Sequence, residues 1–292
     1  MFQFPFTNSG RLVLVLLAAI TVAAQTPASG QDATQGTTQG QAPAAPTGAR
    51  PAEDEWLAKA AKIYFSSAKA GLMGFDCDVH PDWRALYAAA NKGKDVAPND
   101  AYLAQLKNVK VKMHARMQGG STIEWLEESA GGGQPTSGDM TATTDNLHQT
   151  VQQILEGFMQ FWSPFMEVTV VPKKADGLEI THGPAVHTIY TRQGTTELTE
   201  IFNKDLVLEH FNLMLSGTSI KLSPTFQATP QGMLVKTFAA EIQPADTERQ
   251  PQKMIARVDY QTVNSQTIPG QLNMEISGAG SFNFEFDGCS TN

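Results

Sequence analysis

Two cysteines carry the most specific chemical signal in this 292-residue chain. Cys77 and Cys289 make an even number, which fits one disulfide bridge in a chain that is exported to an oxidising compartment. The bridge would tie the segment after the first predicted helix to the last predicted strand, closing a loop of 289 − 77 = 212 residues. The loop-entropy model gives about 4–5 kcal/mol of stabilisation for such a loop. The alternative is a pair of buried free thiols, and we favour the bridge.

Acidic and histidine side chains recur at every second position just after Phe75. On an extended segment Asp76, Asp78 and His80 would share one face, where carboxylates and an imidazole could ligate a metal ion, while Cys77 would point away. The alternative is a turn before a helix, because Asp and Pro are common in turns for backbone reasons. Asp82 is explained as the N-cap of that helix, which is predicted over Trp83–Ala90. We therefore favour the turn and predict no metal site.

The histidines and the absent motifs give no sign of catalysis. His182 and His187 flank a Gly-Pro turn and could meet across a hairpin, where a surface pair is the favoured interpretation. The sequence contains no GxSxG, P-loop or GxGxxG motif, and nothing orders its Ser, His and Asp residues into a triad. We predict a protein that is not an enzyme and that binds no cofactor.

The overall charge excludes one class of partner. Asp and Glu number 29 against 21 Lys and Arg, so the formal net charge is −8 and the pI is about 5.2. A nucleic-acid binder needs a basic face for phosphate contacts, so we predict no nucleic-acid partner. Hydrophobic residues make up 41% of the chain, which is enough for most of it to fold.

The N-terminal residues resemble an export signal followed by a spacer. Arg11 precedes an uncharged apolar run, Leu12–Ala24, that ends in small residues, which predicts a signal peptide over residues 1–24. A transmembrane anchor is the alternative, but a span needs about 20 residues. Residues 25–52 lack aromatic residues, Val, Ile and Leu, and we predict a disordered linker. The product is expected to be periplasmic or secreted, with no transmembrane segment after cleavage and one α+β domain over residues 53–292.

Hydrophobic periodicity places these residues on helices, then on two strands over Val109–Met117 and Thr122–Glu127, then on a longer helix and finally on a long series of strands. Helical spacing predicts long amphipathic helices over Trp56–Ala68 and Leu147–Trp162, and a mobile Gly-rich loop over residues 130–143 precedes the second. After residue 164 nearly all segments alternate with period two, most cleanly at Met254–Val263, Gln271–Ser277 and Ser281–Asp287. Alternation without intervening helices indicates an antiparallel sheet.

The predicted fold class is α+β, with a large curved antiparallel β-sheet, or half-barrel, wrapped around the two long helices. About eleven strands with one dry face must curl, close or pack on another layer. A closed barrel or a two-sheet sandwich is the alternative architecture.

The order of one helix, a few strands, a second helix and a long meander that ends in a strand resembles the periplasmic lipoprotein-carrier (LolA-like) half-barrel superfamily. The stretches Gly177–Ile180 and Val258–Gln261, followed by Ile268–Pro269, are similar to paired strands of such domains. Arg116 lies on an early strand, roughly where those carriers use an arginine to hold a helical lid. The resemblance implies an apolar cavity between the sheet and the helices.

The sequence is compatible with three functions. The first is an envelope protein that binds or carries a hydrophobic ligand, such as a lipid, an acyl chain or a lipid-modified protein, without catalysis. The second is a structural or interaction module with a solid core and no ligand. The third and least favoured is a metal-dependent hydrolase that uses Asp76, Asp78 and His80. For the first function, the predicted cavity wall consists of Met113, Trp125, Phe158, Val258, Met274 and Phe284.

Overall fold

The computed structural model describes residues 50–91, 100–117, 120–127, 138–167, 170–246 and 250–292. The predicted signal peptide and residues 25–49 of the predicted linker lie outside this range. The helices are α1 (Pro51–Ala61), α2 (Trp83–Ala90), α3 (Asp100–Lys107) and α4 (Gly138–Glu167). The first six strands are β1 (Gly74–Pro81), β2 (Val109–Arg116), β3 (Gly120–Glu127), β4 (Glu179–His182), β5 (Val186–Gln193) and β6 (Thr196–Asn203). The remaining six are β7 (Leu208–Leu215), β8 (Thr218–Thr229), β9 (Gly232–Gln243), β10 (Gln252–Val263), β11 (Gln266–Ile276) and β12 (Gly280–Thr291).

All twelve strands form one open antiparallel sheet. Their order is β3-β2-β1-β12-β11-β10-β9-β8-β7-β6-β5-β4, so β3 and β4 are the two edges. The strands from β4 to β12 follow one another as a meander. The three N-terminal strands join this meander through β1, which pairs with the last strand, β12. The two ends of the folded chain therefore meet inside the sheet.

The structure contradicts the predicted half-barrel wrapped around two long helices. The sheet is open, α1 has 11 residues, α2 and α3 have eight each, and α4 alone is long, with 30 residues. The helix predicted over Trp56–Ala68 ends at Ala61 because the following residues bond to β9 instead. Met233 N–H donates to Ile63 O at 2.7 Å, and Phe65 N–H donates to Met233 O at 3.0 Å. After Ala61 the chain turns and forms an isolated parallel bridge between Tyr64 and Met233, so tertiary pairing overrides the helical spacing of these residues.

Helix α4 begins earlier than the sequence pattern suggested. It starts at Gly138, so the last six residues of the loop predicted over 130–143 are helical, while residues 130–137 lie outside the described range. Its buried side chains recur at helical spacing, which gives the helix one apolar stripe. The buried residues of this stripe are Leu147, Val151, Ile154, Leu155, Phe158, Met159, Phe161, Trp162, Phe165 and Met166. Within the described residues, none of the helices combines the length and the apolar character that a membrane crossing requires.

A bulge in β12 explains how the two cysteines meet. Alternation along β12 buries Phe284 and Phe286, and strict continuation of that pattern would turn Cys289 to the solvent side. The register shifts between Asp76 and Asp78, so that Cys77 faces two residues of β12, Gly288 and Cys289. Gly288 has a φ of +53°, which a β-carbon disfavours. The extra residue turns Cys289 inward, and the Cys77–Cys289 disulfide is formed, as predicted.

Candidate functional site

The residues predicted to line a cavity lie where α4 crosses the apolar face of the sheet. Aromatic side chains of α4 make the contact. The ring of Trp162 lies at 5.9 Å and nearly at right angles to Phe75 of β1, and that of Phe165 lies at 5.0 Å from Phe238 of β9. Edge-to-face pairs of this kind are favoured by the ring quadrupoles. Helix α4 is therefore packed on the sheet across several strands.

A polar contact fastens α4 at the same place. The indole N–H of Trp162 donates a hydrogen bond to the Tyr260 hydroxyl at 3.0 Å, and this hydroxyl donates to Val235 O at 2.6 Å. Burial raises the pKa of Tyr260, so its hydroxyl keeps its proton at neutral pH. The chain of two bonds links α4, β10 and β9, and it satisfies polar groups that would be expensive to bury unpaired.

The structure brings the six predicted wall residues into one hydrophobic core. Five of them have side chains that are at most 4% exposed, and the sixth, Trp125, is half-buried. Val258, Leu272 and Phe284 are direct cross-strand neighbours on β10, β11 and β12. Such neighbours lie close enough for van der Waals contact. The five buried residues are Met113, Phe158, Val258, Met274 and Phe284.

Trp125 marks the border of this core at the edge strand β3. Its ring stacks on His148 of α4 at 4.0 Å with an interplanar angle of 16°, and Trp83 of α2 lies at 6.5 Å. His148 did not emerge from the sequence because its partner is in a strand more than twenty positions away. The stack closes the gap between α4 and the β3 edge.

Asp76, Asp78 and His80 lie on the solvent face of β1, and the turn predicted for them is wrong. They form a strand because β2 and β12 pair with β1 on its two sides. As the extended alternative implied, Cys77 and its neighbours Phe75 and Val79 point to the buried side. The outward groups are separately paired: Asp76 with His114 at 2.8 Å, Asp78 with Lys112 at 3.8 Å and His80 with Asp287 at 2.9 Å. No group of three or more His, Cys, Asp or Glu residues is placed to hold a metal ion in the part of the chain that the structure describes.

His114 is the centre of a small polar network on this face. Its Nδ1 lies 2.8 Å from Asp76 and its Nε2 lies 3.0 Å from Glu124 of β3. The bonds to Glu124 and Asp76 raise the pKa of His114. Arg116 lies on the same outward face, where it contacts Asp76 at 3.5 Å. The network is a set of cross-strand pairs between neighbouring strands, and only the strand register reveals it.

Glu200 is a carboxyl group on the apolar side of the sheet that sequence analysis missed. It lies on the same face of β6 as the buried Leu198 and Phe202, and its cross-strand neighbours are Ile189 and Phe211. Burial raises the pKa of Glu200 to about 8. The period of two over β6 would have predicted this inward position if the strand's apolar face had been assigned residue by residue.

A surface groove of about 420 Å³ lies at the start of α2 and along α3, and none of the six wall residues lines it. Its rim carries an ion pair between Arg84 and Asp100 at 3.2 Å. The lining consists of Pro81, Asp82, Trp83, Arg84, Asp100, Leu103, Ala104 and Lys107. It does not connect the groups that the sequence had suggested for chemistry.

In comparisons with known proteins, no family model and no curated protein matches this chain. The function is therefore inferred from the residues of this chain and their contacts.

Proposed function

We propose that this protein is a structural or interaction module of the cell envelope, with a solid core and without catalysis. The observation that supports this most is the continuous packing of the six residues expected to line a cavity. A ligand-binding wall would leave side chains facing an opening, whereas five of these six are at most 4% exposed and belong to the main core. The proposed location in the cell envelope is based on the signal peptide predicted over residues 1–24.

The contacts of helix α4, which packs on the apolar face of the sheet, also support a solid core. Aromatic rings of α4 meet Phe75 and Phe238 on the sheet, and Trp162 is bonded to Tyr260. Entry of an acyl chain between α4 and the sheet would separate these rings and break a buried hydrogen bond, which costs about 1–3 kcal/mol for each polar group left unpaired. The layer that a carrier would have to open is thus held closed by specific contacts.

The outward face of the sheet is suited to a module that acts through its surface. Opposite charges alternate across neighbouring strands, as in the pairs Lys253–Glu241 at 3.6 Å and Arg257–Glu275 at 2.5 Å. Lys236 and Asp259 form a further pair. A face of mixed charge keeps the open sheet soluble and gives a partner a pattern to read.

Carriage of a hydrophobic ligand is the second candidate. It is favoured by the side chains of the predicted wall, because Met113, Met274 and Phe158 are flexible or aromatic residues of the kind that accept variable apolar partners. If α4 moved, an acyl chain would gain about 0.8 kcal/mol for each CH2 that it buries there. This candidate requires α4 to open and the module does not, so the two are separable by experiment.

The test compares overpacking variants with the wild type. Met113→Trp and Val258→Phe add volume at two buried positions, and Thr122→Val, on the exposed side of β3, is the control. In a solid core each large residue should destabilise the protein by about 1–3 kcal/mol in urea unfolding. The wild type should also fail to take up a fluorescent fatty acid.

The opposite pattern would reject the proposal. If the wild type binds the fatty acid, and if Met113→Trp or Val258→Phe abolishes this binding while unfolding stays within about 0.5 kcal/mol of the control, the positions line a cavity. The carrier function would then replace the module.

A further inference from the structure

The histidine pair on the edge hairpin is the most specific group of donors that the proposed function leaves unused. His182 of β4 and His187 of β5 are register partners across the hairpin, and their Nδ1 atoms lie 3.1 Å apart. His182 is exposed and His187 is half-buried, so the pair is accessible from the solvent.

The distance between the two nitrogen atoms matches that of a metal chelate. With metal–nitrogen bonds of about 2.0–2.1 Å, the nitrogen atoms lie about 3.3–3.4 Å apart at the tetrahedral angle and about 2.8–3.0 Å apart at the right angle of a square-planar ion. The observed 3.1 Å lies between these two values. The two imidazoles are therefore already at the separation that a bound ion needs.

The surroundings hold the two rings in this arrangement. Trp56 of α1 contacts both edge-on, with ring centroids 5.0 Å from His182 and 5.3 Å from His187. The loop between the histidines is tight, since Gly183 N–H donates to Val186 O at 2.9 Å. A β-carbon on Gly183 would lie 2.9 Å from that same carbonyl oxygen. A chelate formed from fixed donors loses little conformational entropy on binding.

The donor chemistry sets the class of metal. The two Nδ1 atoms form a hydrogen bond in which one ring donates and the other accepts, and metal binding would move that proton to Nε2 of the donating ring. Imidazole is a preferred ligand of copper, nickel and zinc, whereas calcium and magnesium prefer oxygen.

We propose that His182 and His187 form a two-histidine binding site for a divalent late transition-metal ion, with the remaining coordination positions taken by water. Affinity for such donors follows the order Ni2+ < Cu2+ > Zn2+, so Cu2+ is expected to bind most tightly. Bound metal would cross-link the edge strand β4 to β5, at the end of the sheet that is far from the disulfide.

Trp56 provides an internal reporter for this site. Copper quenches nearby indole fluorescence, and Trp56 is the tryptophan in ring contact with both histidines. The experiment titrates the untagged chain with CuCl2 and follows tryptophan fluorescence and binding heat together. His182→Ala and His187→Ala are the test variants, Trp56→Phe tests the location, and His210→Ala, which removes a single half-buried imidazole of β7, is the matched control.

We expect the wild type and His210→Ala to bind one Cu2+ with quenching, and His182→Ala and His187→Ala each to weaken this binding at least ten-fold. Trp56→Phe should keep the binding heat and lose most of the quenching. ZnCl2 should compete for the site. The proposal is overturned if the wild type binds no copper, if the histidine variants follow the control, or if the quenching persists in Trp56→Phe.

Discussion

The two ends of the sheet are covered in different ways. At the end formed by β3, β2, β1 and β12, the disulfide joins two neighbouring strands, and α4 and α2 pack over them. At the end formed by β4 to β7, the short helix α1 lies over the apolar face, and Tyr64, just after it, supplies the fastening. The Tyr64 hydroxyl donates to Leu206 O at 2.9 Å and accepts from Leu208 N–H at 2.7 Å.

This difference follows from the order of the strands. The β1–β12 pair brings together residues about 200 positions apart, which is costly in chain entropy, and a covalent bond there removes much of that cost. The strands β4 to β7 pair with their sequence neighbours, and a hairpin needs no covalent fastening. This second end also carries the half-buried Glu200 and the histidine pair, so we expect it to open more readily.

The largest expected effect is loss of the disulfide. Cys289→Ser should lower the free energy of unfolding by about 2–5 kcal/mol, because the unfolded chain regains the freedom of a long loop. Hydrogen exchange should rise in β1 and β12 and change less in β5 and β6. Ser290→Ala, an exposed neighbour, is the control for the urea titration. Equal stability of Cys289→Ser and this control would show that the bond does not fasten that end.

Next in size are two tyrosine hydroxyls. That of Tyr260 fastens α4 to the middle of the sheet, and that of Tyr64 lies at the β4–β7 end. Tyr260→Phe leaves the Trp162 N–H without its acceptor, and Tyr64→Phe leaves the Leu208 N–H without its own, so each should destabilise by about 1–3 kcal/mol. Tyr190→Phe is the control, because that hydroxyl makes no hydrogen bond within the described residues.

Amide hydrogen exchange shows which part of the molecule each tyrosine hydroxyl stabilises. Tyr64→Phe should increase amide exchange in β6 and β7, and Tyr260→Phe should increase it in α4. If both variants raise exchange uniformly over the whole sheet, the β4–β7 end does not behave as a unit separate from the middle of the sheet and α4.

Glu200 makes the stability of the second end depend on pH. The pKa of this carboxyl is about 8 in the folded chain against 4.5 for the free group, so the folded chain keeps a proton that the unfolded chain loses. Its contribution to stability therefore falls as pH rises from about 4.5 to about 8, and it levels off above that range.

The isosteric variant Glu200→Gln removes this fall. Relative to the wild type, it should be nearly neutral at pH 4.5 and more stable by about 1–3 kcal/mol at pH 8.5, since no charge is then buried. Glu197→Gln, on the same strand and paired with Arg192 at 3.5 Å, should show no such gain. Melting temperatures measured at both pH values decide the matter, and a gain that is equal at both would rule out ionisation as its cause.

The smallest effect belongs to His114 at the disulfide end. Its pKa is raised in the folded chain, so the bonds to Glu124 and Asp76 stabilise most below pH 6.5 and lose this contribution as pH rises through the folded value. The network is only partly buried, and His114→Gln should cost less than about 1 kcal/mol at pH 5.5 and still less at pH 8.5. A larger loss at pH 8.5 would contradict the charged state. Thermal unfolding at both pH values measures this.

Local patterns predicted the individual strands well where each had one wet and one dry face. Met254–Val263 was expected and β10 spans Gln252–Val263, and α2 has the predicted bounds with Asp82 as its N-cap. The disulfide was also predicted, because two cysteines in a chain that is predicted to be exported leave one pairing.

The arrangement of the strands could not be obtained in this way. The spacing of residues in Gly74–Pro81 does not indicate that β1 lies between β2 and β12, so the acidic residues of this segment were interpreted as part of a turn. The helix over Trp56–Ala68 failed for a similar reason, because the bonds of Ile63 and Phe65 to Met233 are formed with a residue about 170 positions away. The six wall residues were placed on the apolar face, but periodicity does not tell a wall from a packed core.

The most direct measurement of the central claim is native mass spectrometry of the protein purified from its own host under mild conditions. A solid-core module should give the mass of the polypeptide with its disulfide, with no lipid adduct that survives gentle desolvation. A species heavier by the mass of one lipid, removed by organic extraction and restored by adding that lipid back, would contradict the account and establish the carrier.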